Sequence, residues 1–210
     1  MTKVFRRIVL AAIAVLIVIP GEAVASSQDP FIFPLTTDEN GNSGQGLAWW
    51  LRASIIRPTS TVVSGISVSE LNRHREEMAE PWCYASELTA RSFSSPFRTV
   101  QAEIDETFST HADATFRVSG DLTGDGQHED AVVGNYETCG GEVGVFTLIT
   151  TPTEPRRIVF LDERTGWKGL IWLRREADAL VVGGCFECGH AESLFYDPRR
   201  SRFYWENSGD

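Results

Sequence analysis

Short apolar runs recur along the second half of the chain, and polar turn residues separate them. No 3.6-residue periodicity lies between neighbouring runs, and turn-rich segments at 151–155, 162–166, 175–178 and 197–201 connect several of them. The pattern predicts β-strands centred on Phe116–Val118, Ala131–Val133, Val143–Ile149, Ile158–Leu161, Leu170–Leu173, Leu180–Val182, Leu194–Tyr196 and Phe203–Trp205. We therefore expect a mainly β fold, an antiparallel β-meander in the form of a small sandwich, barrel or twisted sheet. Because the runs alternate imperfectly, some strands should be covered on both faces.

One or two N-terminal helices should precede these strands. Apolar residues at helical spacing from Leu47 to Ile55 predict a short helix that Pro58 ends. Ser67 and Glu70 form a capping-box pattern, which predicts a second helix that runs towards Pro81. The segment 97–108 fits either a strand or a helix, and the rest of 82–114 has no clear pattern.

The first 25 residues have the pattern of a signal peptide. Lys3, Arg6 and Arg7 precede the apolar run 8–19, and small residues at 23–25 suit a signal peptidase. Twelve helical residues rise about 18 Å, which is short of the roughly 30 Å hydrocarbon core of a membrane. We therefore expect a secreted or periplasmic protein that meets the membrane only during export.

This reading divides the chain into three parts. Residues 1–25 are the signal peptide, residues 26–66 are a linker or covering segment, and residues 67–210 are the β-rich domain with its leading helix. The formal net charge is −10, and removal of Lys3, Arg6, Arg7 and Glu22 with the signal peptide makes it −12. Such a surface repels phosphate backbones, so we expect no nucleic-acid partner.

An acidic loop lies between two of the predicted strands. Side-chain oxygens recur at the first, third and fifth positions of a calcium loop, Gly126 permits a sharp turn at the sixth, and the seventh position supplies a backbone carbonyl. Val132 stands at the twelfth position, so this is not an EF-hand. The expected Ca²⁺ ligands are Asp121, Thr123, Asp125, Gln127, Glu129 and Asp130.

The stretch Asp-Leu-Thr-Gly-Asp-Gly, followed by an acid and Ala-Val-Val, resembles the calcium loop of FG-GAP/VCBS-type secreted β proteins. The resemblance covers residues 119–134 only, and Thr123 stands where Asn or Asp is commoner in that family. It implies a bound Ca²⁺ and a β-sheet context, and it does not imply adhesion. The alternative is a metal-free hairpin in which an Asp125-Gly126 turn joins Val118 to Ala131.

Four cysteines in an exported chain predict two disulfides, but the sequence leaves their pairing open. Cys83 with Cys139 and Cys185 with Cys188 is one arrangement, and Cys139 with either Cys185 or Cys188 is another. Cys139, Cys185, Cys188 and His190 together could instead form a tetrahedral zinc site. A redox Cys-x-x-Cys motif usually begins a helix, whereas Cys185 and Cys188 lie between strand-like runs.

Recognisable catalytic motifs are absent from the sequence. There is no nucleophile elbow, P-loop, dinucleotide fingerprint or His-Glu-x-x-His sequence, and we assign no catalytic residue. The sequence thus favours a non-catalytic β module with one structural Ca²⁺, two disulfides and a role in binding an envelope or extracellular ligand. The alternatives are an exported hydrolase with dispersed catalytic residues and a Cys/His zinc-binding protein.

Overall fold

A computed structural model describes residues 31–32, 53–75, 79–95, 98–111, 115–166, 170–184 and 191–206. Within these residues the strands are β1 (Phe31–Ile32), β2 (Ser54–Ile56), β3 (Val62–Val63), β4 (Ile66–Ser67), β5 (Trp82–Glu87), β6 (Phe93–Ser94), β7 (Arg117–Gly120), β8 (Glu129–Thr138), β9 (Val143–Thr150), β10 (Ile158–Thr165), β11 (Trp172–Arg175), β12 (Leu180–Gly183), β13 (Ala191–Asp197) and β14 (Arg202–Trp205). The α-helices are α1 (Val68–Arg73) and α2 (Arg98–Thr110), with a 3₁₀ turn at Ala90–Ser92. None of the described helices is both long and apolar enough to cross a membrane.

Two antiparallel sheets form the body of the protein. The first has the order β10–β9–β8, and the far edge of β8 pairs with β7 along Glu129–Val132 and then with β5 along Gly134–Thr138. The second sheet has the order β11–β12–β13–β14. A two-way backbone bridge between Thr115 and Leu173 joins the sheets on one side. The predicted mainly β, antiparallel fold is confirmed, in the form of a sandwich.

All eight predicted strand regions are strands or adjoin one in the structure. The predicted turn at 162–166 is wrong, because β10 continues to Thr165 and pairs with β9 as far as Gly144. Charged side chains are tolerated in this strand because partners on other elements neutralise them, as described below. Of the segment 97–108, the described residues 98–108 are helical, and β5 lies in the region that has no clear sequence pattern.

The expected helix before Pro58 is wrong where the chain is described. Ser54–Ile56 is a strand that pairs with β1 on one side and β6 on the other. Its two isoleucines are β-branched, and Ile55 is buried in the core. The hydrogen bonds that β2 makes along both edges therefore stabilise a strand here, although the apolar residues have the spacing of a helix.

The second predicted helix begins where expected but is shorter. Ser67 Oγ accepts a hydrogen bond from the amide of Glu70, so the predicted N-cap is confirmed. The helix ends at Arg73, and the amide of His74 donates to the carbonyl of Leu71. Its early end places the Arg75 side chain against the first sheet instead of along the helix.

Strands β8 and β9 are buried on both faces, as the imperfect alternation predicted. One face of each joins a core shared by both sheets, α2 and the small β1–β2–β6 sheet, with Ala131, Val133, Val145 and Ile149 among its members. The other face packs beneath α1 and the β3–β4 hairpin, and contributes Val132, Tyr136, Phe146 and Leu148. A strand covered in this way lacks a polar face, which explains its nearly continuous apolar sequence.

Candidate metal and ligand site at the acidic loop

The acidic loop, residues 121–128, connects two paired neighbouring strands. Gly120 at the end of β7 lies opposite Glu129 at the start of β8, and Val118 lies opposite Ala131. The loop therefore closes a hairpin at one end of the sandwich. Its geometry is fixed at both ends by the hydrogen bonds of the first sheet.

Two aspartates of the loop bind its own backbone. The Asp121 carboxylate accepts hydrogen bonds from the amides of Gly124 (2.6 Å) and Gly126 (3.0 Å), and Asp125 accepts one from Gln127 (2.8 Å). Both glycines have positive φ, +76° and +83°, a conformation that costs little only without a Cβ. Burial raises the pKa of Asp121, but the hydrogen bonds from Gly126 and Gly124 outweigh it, and the pKa is lowered.

Thr123 and Glu129 lie closer to the protein interior. The hydroxyl of Thr123 is buried and has no hydrogen-bond partner among the described residues. Glu129 is only 4% exposed, and its carboxylate accepts a hydrogen bond from the amide of Leu122 at 2.9 Å. The side-chain oxygens at the third and ninth positions of the expected ligand set are thus shielded from solvent.

Asp130, the other expected closing ligand, lies on the opposite face of β8 from Glu129, since successive strand residues alternate. Its carboxylate accepts hydrogen bonds from Ser119 and from Arg156 (3.0 Å), and Arg117 lies 3.4 Å away. Burial raises the pKa of Asp130, but Ser119 and the two guanidinium groups lower it by more. The structure therefore separates Asp130 from the other expected ligands.

The loop offers oxygen donors of the type that Ca²⁺ prefers, in the expected order along the chain. Across the described ranges, however, no three His, Cys, Asp or Glu side chains converge closely enough to hold a metal ion. The Asp121 and Asp125 carboxylates instead accept hydrogen bonds from amides of the loop. Calcium binding by this loop therefore remains a prediction.

A cavity of about 210 Å³ lies between the acidic loop and the β11–β12 turn. Arg175 joins its two walls, because its Nη2 donates to the carbonyl of Asp121 at 3.0 Å. A Cβ at Gly120 would collide with the same guanidinium, so this glycine permits the contact. The cavity is lined by Asp121, Leu122, Thr123, Gly124, Arg175, Glu176, Ala177, Asp178, Ala179, Leu180, Leu194, Tyr196 and Phe203.

The acidic loop on one side of this cavity was predicted from the sequence, but its proximity to the β11–β12 turn was not. The turn at 175–178 was recognised as a turn, but the chain separates it from the acidic loop by about fifty positions. The Thr115–Leu173 bridge brings the two segments together. No local sequence signal marks such a bridge.

Cys83 of β5 forms a disulfide with Cys139, which follows β8, and their Cα atoms are 4.9 Å apart. This confirms one pairing left open by the sequence and excludes a bond from Cys139 to Cys185 or Cys188. It also withdraws Cys139 from the alternative zinc site. Cys185, Cys188 and His190, like the predicted signal peptide, lie outside the described residues.

Two clusters, each built from an arginine, a tryptophan and carboxylates, lie on opposite faces of β10. In the first, the Arg75 cluster, Arg75 binds both oxygens of Glu163 (2.7 and 3.0 Å), and the indole N–H of Trp82 donates to Glu163 at 3.0 Å. Arg75 also lies over the Trp82 ring, 4.8 Å from its centroid, and donates to the carbonyl of Glu80. This cluster attaches the segment after α1 to the first sheet.

The Arg164 cluster faces the second sheet. Arg164 contacts the carboxylate of Glu192, lies 3.8 Å from that of Asp162 and stands over the Trp205 ring at 5.3 Å. Burial raises the pKa of Asp162 most, while Arg164 and a hydrogen bond to Trp205 partly offset the effect. Arg164 and Asp162 of β10 therefore interact with Glu192 of β13 and Trp205 of β14, where the two sheets meet.

No protein-family model, curated protein or solved structure matches this chain. The resemblance of residues 119–134 to the FG-GAP/VCBS loop therefore stays a prediction.

Proposed function

We propose that this chain is an exported, non-catalytic β module that binds an envelope or extracellular ligand and carries one structural Ca²⁺ in its acidic loop. The observation that carries the proposal is the position of that loop. Its residues 121–124 form one wall of the 210 Å³ cavity. An ion that stiffens the loop would therefore also stiffen a binding cavity.

The disulfide supports export. Such bonds persist in oxidising compartments and are rare in the cytosol. Cys83 and Cys139 enclose the whole of α2, β7 and β8, so the cross-link stabilises the hairpin that carries the acidic loop. A periplasmic or secreted location accords with both this bond and the pattern of residues 1–25.

The loop residues that would hold the ion are Asp121, Thr123, Asp125 and Glu129, with the carbonyl of Gln127. Ca²⁺ is a hard cation that takes six to eight oxygen ligands, and it would neutralise carboxylates that repel one another. The hydroxyl of Thr123, which has no hydrogen-bond partner in the described part of the chain, is an oxygen donor available for this purpose. Asp130 is excluded from the set because Ser119, Arg156 and Arg117 occupy its carboxylate.

Thermal denaturation with and without Ca²⁺ tests the metal proposal. With a dissociation constant on the order of 1 mM, 10 mM Ca²⁺ should add about 1.4 kcal/mol and raise the Tm by about 3–6 °C. Asp125→Asn should abolish the increment, because it removes a charged ligand without altering volume. Glu106→Gln, an exposed change on α2, is the matched control and should retain it. Identical melting curves in Ca²⁺ and in chelator would exclude the structural ion.

A further inference from the structure

The cavity beside the acidic loop combines an apolar floor with a charged rim. Leu180, Leu194 and Phe203 are buried and form the floor, and the partly exposed Tyr196 packs on Phe203 with ring centroids 5.1 Å apart. Pockets for drug-sized ligands span roughly 300–1,000 Å³, so a cavity of about 210 Å³ suits a smaller group. One side chain of a partner protein is of that order.

The rim carries more negative than positive charge. Asp121, Glu176 and Asp178 contribute three carboxylates, against the single guanidinium of Arg175. Arg175 is directed to the Asp121 carbonyl, and Glu176 is bound to Arg174 at 2.8 Å. Asp178 is exposed and, within the described part of the chain, has no hydrogen-bond or ion-pair partner. A carboxylate is thus available at the mouth of an apolar cavity.

We propose that the cavity binds a lysine or arginine side chain of a peptide or protein partner. The aliphatic stem would lie on Leu180, Leu194 and Tyr196, and the cationic head would meet Asp178 at the rim. The formal charge of −10 on the whole chain would attract such a basic partner over longer range. A neutral apolar ligand would fill the cavity but would leave the Asp178 carboxylate without a cationic partner.

This inference rests on the proposed binding role but not on the bound Ca²⁺. The test is a ¹H–¹⁵N NMR titration of the oxidised protein in chelator, with N-acetyl-lysine amide as the probe. N-acetyl-norleucine amide has a closely similar stem and no charge, and serves as the comparison. We expect the lysine probe to shift the amides of Thr123, Gly124, Ala177 and Ala179, and to bind about fivefold more tightly than the norleucine probe.

A variant makes the assignment specific to Asp178. Asp178→Asn should weaken binding of the lysine probe about two- to fivefold, the range for one partly exposed ion pair, and leave the norleucine probe unchanged. Glu106→Gln removes an equal charge on α2, which does not line the cavity, and should change neither. Equal affinities for both probes, shifts elsewhere than the cavity, or an effect of Glu106→Gln as large as that of Asp178→Asn would each overturn the proposal.

The two experiments can contradict the calcium proposal and the cavity proposal independently of each other. If Ca²⁺ raises the Tm but the lysine probe does not bind, only the cavity assignment is wrong. If the lysine probe binds in chelator and Ca²⁺ has no effect on the Tm, only the structural ion is wrong.

Discussion

The Arg75 and Arg164 clusters place similar side chains on opposite faces of one strand, with different results. Each stacks a guanidinium on a tryptophan and gives that indole a carboxylate acceptor. The Arg75 side chain is only 4% exposed and pairs one-to-one with Glu163. Arg164 is 26% exposed and has two carboxylate neighbours, Asp162 and Glu192.

The difference follows from what covers each face of β10. The Arg75 cluster lies beneath the segment that follows α1, where Glu80 supplies a further acceptor and Tyr136 stacks on Trp82 at 4.3 Å. The Arg164 cluster lies where the second sheet meets the first, and water reaches it. Similar chemistry therefore gives a one-to-one ion pair with a buried arginine on one face, and on the other face a partly exposed arginine shared by two acids.

The largest expected effect concerns the disulfide beside the Arg75 cluster. Replacement of Cys83 and Cys139 by alanine removes a cross-link between residues 56 positions apart. Because the unfolded chain regains the entropy of that loop, unfolding free energy should fall by about 4 kcal/mol. Urea denaturation measures the loss. Tyr84→Phe, an exposed change in the same strand, is the control, and a loss no larger than in the control would show that β5 needs no covalent attachment.

Arg75→Ala should cost about 3 kcal/mol, because it removes the only cation paired with the mostly buried Glu163 among the described residues and leaves that carboxylate the hydrogen bond from Trp82 alone. The same urea titration gives the value. Arg73→Ala changes an exposed arginine in the same helix and should cost little. Similar losses for the two variants would mean that the Arg75 cluster is as weakly coupled as a surface ion pair.

The strands were largely predictable from sequence because their signal is local. An apolar run such as Val143–Ile149 is recognisable without knowledge of its partners. Strand β5 was missed because only Trp82 and Ala85 of its six residues are buried, which leaves no period of two. The helix predicted up to Ile55 was wrong because the strands that pair with β2 lie elsewhere in the chain and leave no local signal.

The candidate site was half predictable for the same reason. The candidate ligands from Asp121 to Glu129 lie within one short segment, so the sequence alone indicated them. The alternation of strand side chains, which turns Asp130 away from Glu129, follows from the pleat once β8 is known to begin at Glu129. Asp178 and Tyr196 could not be placed beside the loop, because a contact between distant segments leaves no local pattern.

Arg164→Gln tests the weaker cluster. Its three charged side chains are each about a third exposed or less, and ion pairs of this kind contribute roughly 1 kcal/mol at most. We therefore expect a loss of about 1 kcal/mol, well below that of Arg75→Ala. Arg202→Gln on the exposed face of β14 is the control. A loss equal to that of Arg75→Ala would contradict the distinction between the two clusters.

The smallest expected effect concerns Asp162, the acid of the Arg164 cluster whose pKa is raised. Burial raises the pKa of Asp162, with Glu192 and Glu163 adding to the rise and Arg164 and Trp205 opposing it. The fold therefore favours the protonated acid, and the stability that this provides is present below the usual pKa of 3.8 and is lost as pH rises through the folded value. Asp162→Asn should consequently raise unfolding free energy near pH 7, by at most about 1 kcal/mol because the site is partly solvated.

Asp130→Asn should do the opposite and serves as the matched comparison. Burial raises the pKa of Asp130, but Ser119, Arg117 and Arg156 lower it by more, so its ionised form stabilises the fold above the usual value of 3.8. This variant should lose stability near pH 7, and its deficit should shrink as pH falls through the folded pKa. Urea titrations across pH 3–8 measure both series. Parallel curves for the two variants would mean that the excess acid of the Arg164 cluster carries no electrostatic cost.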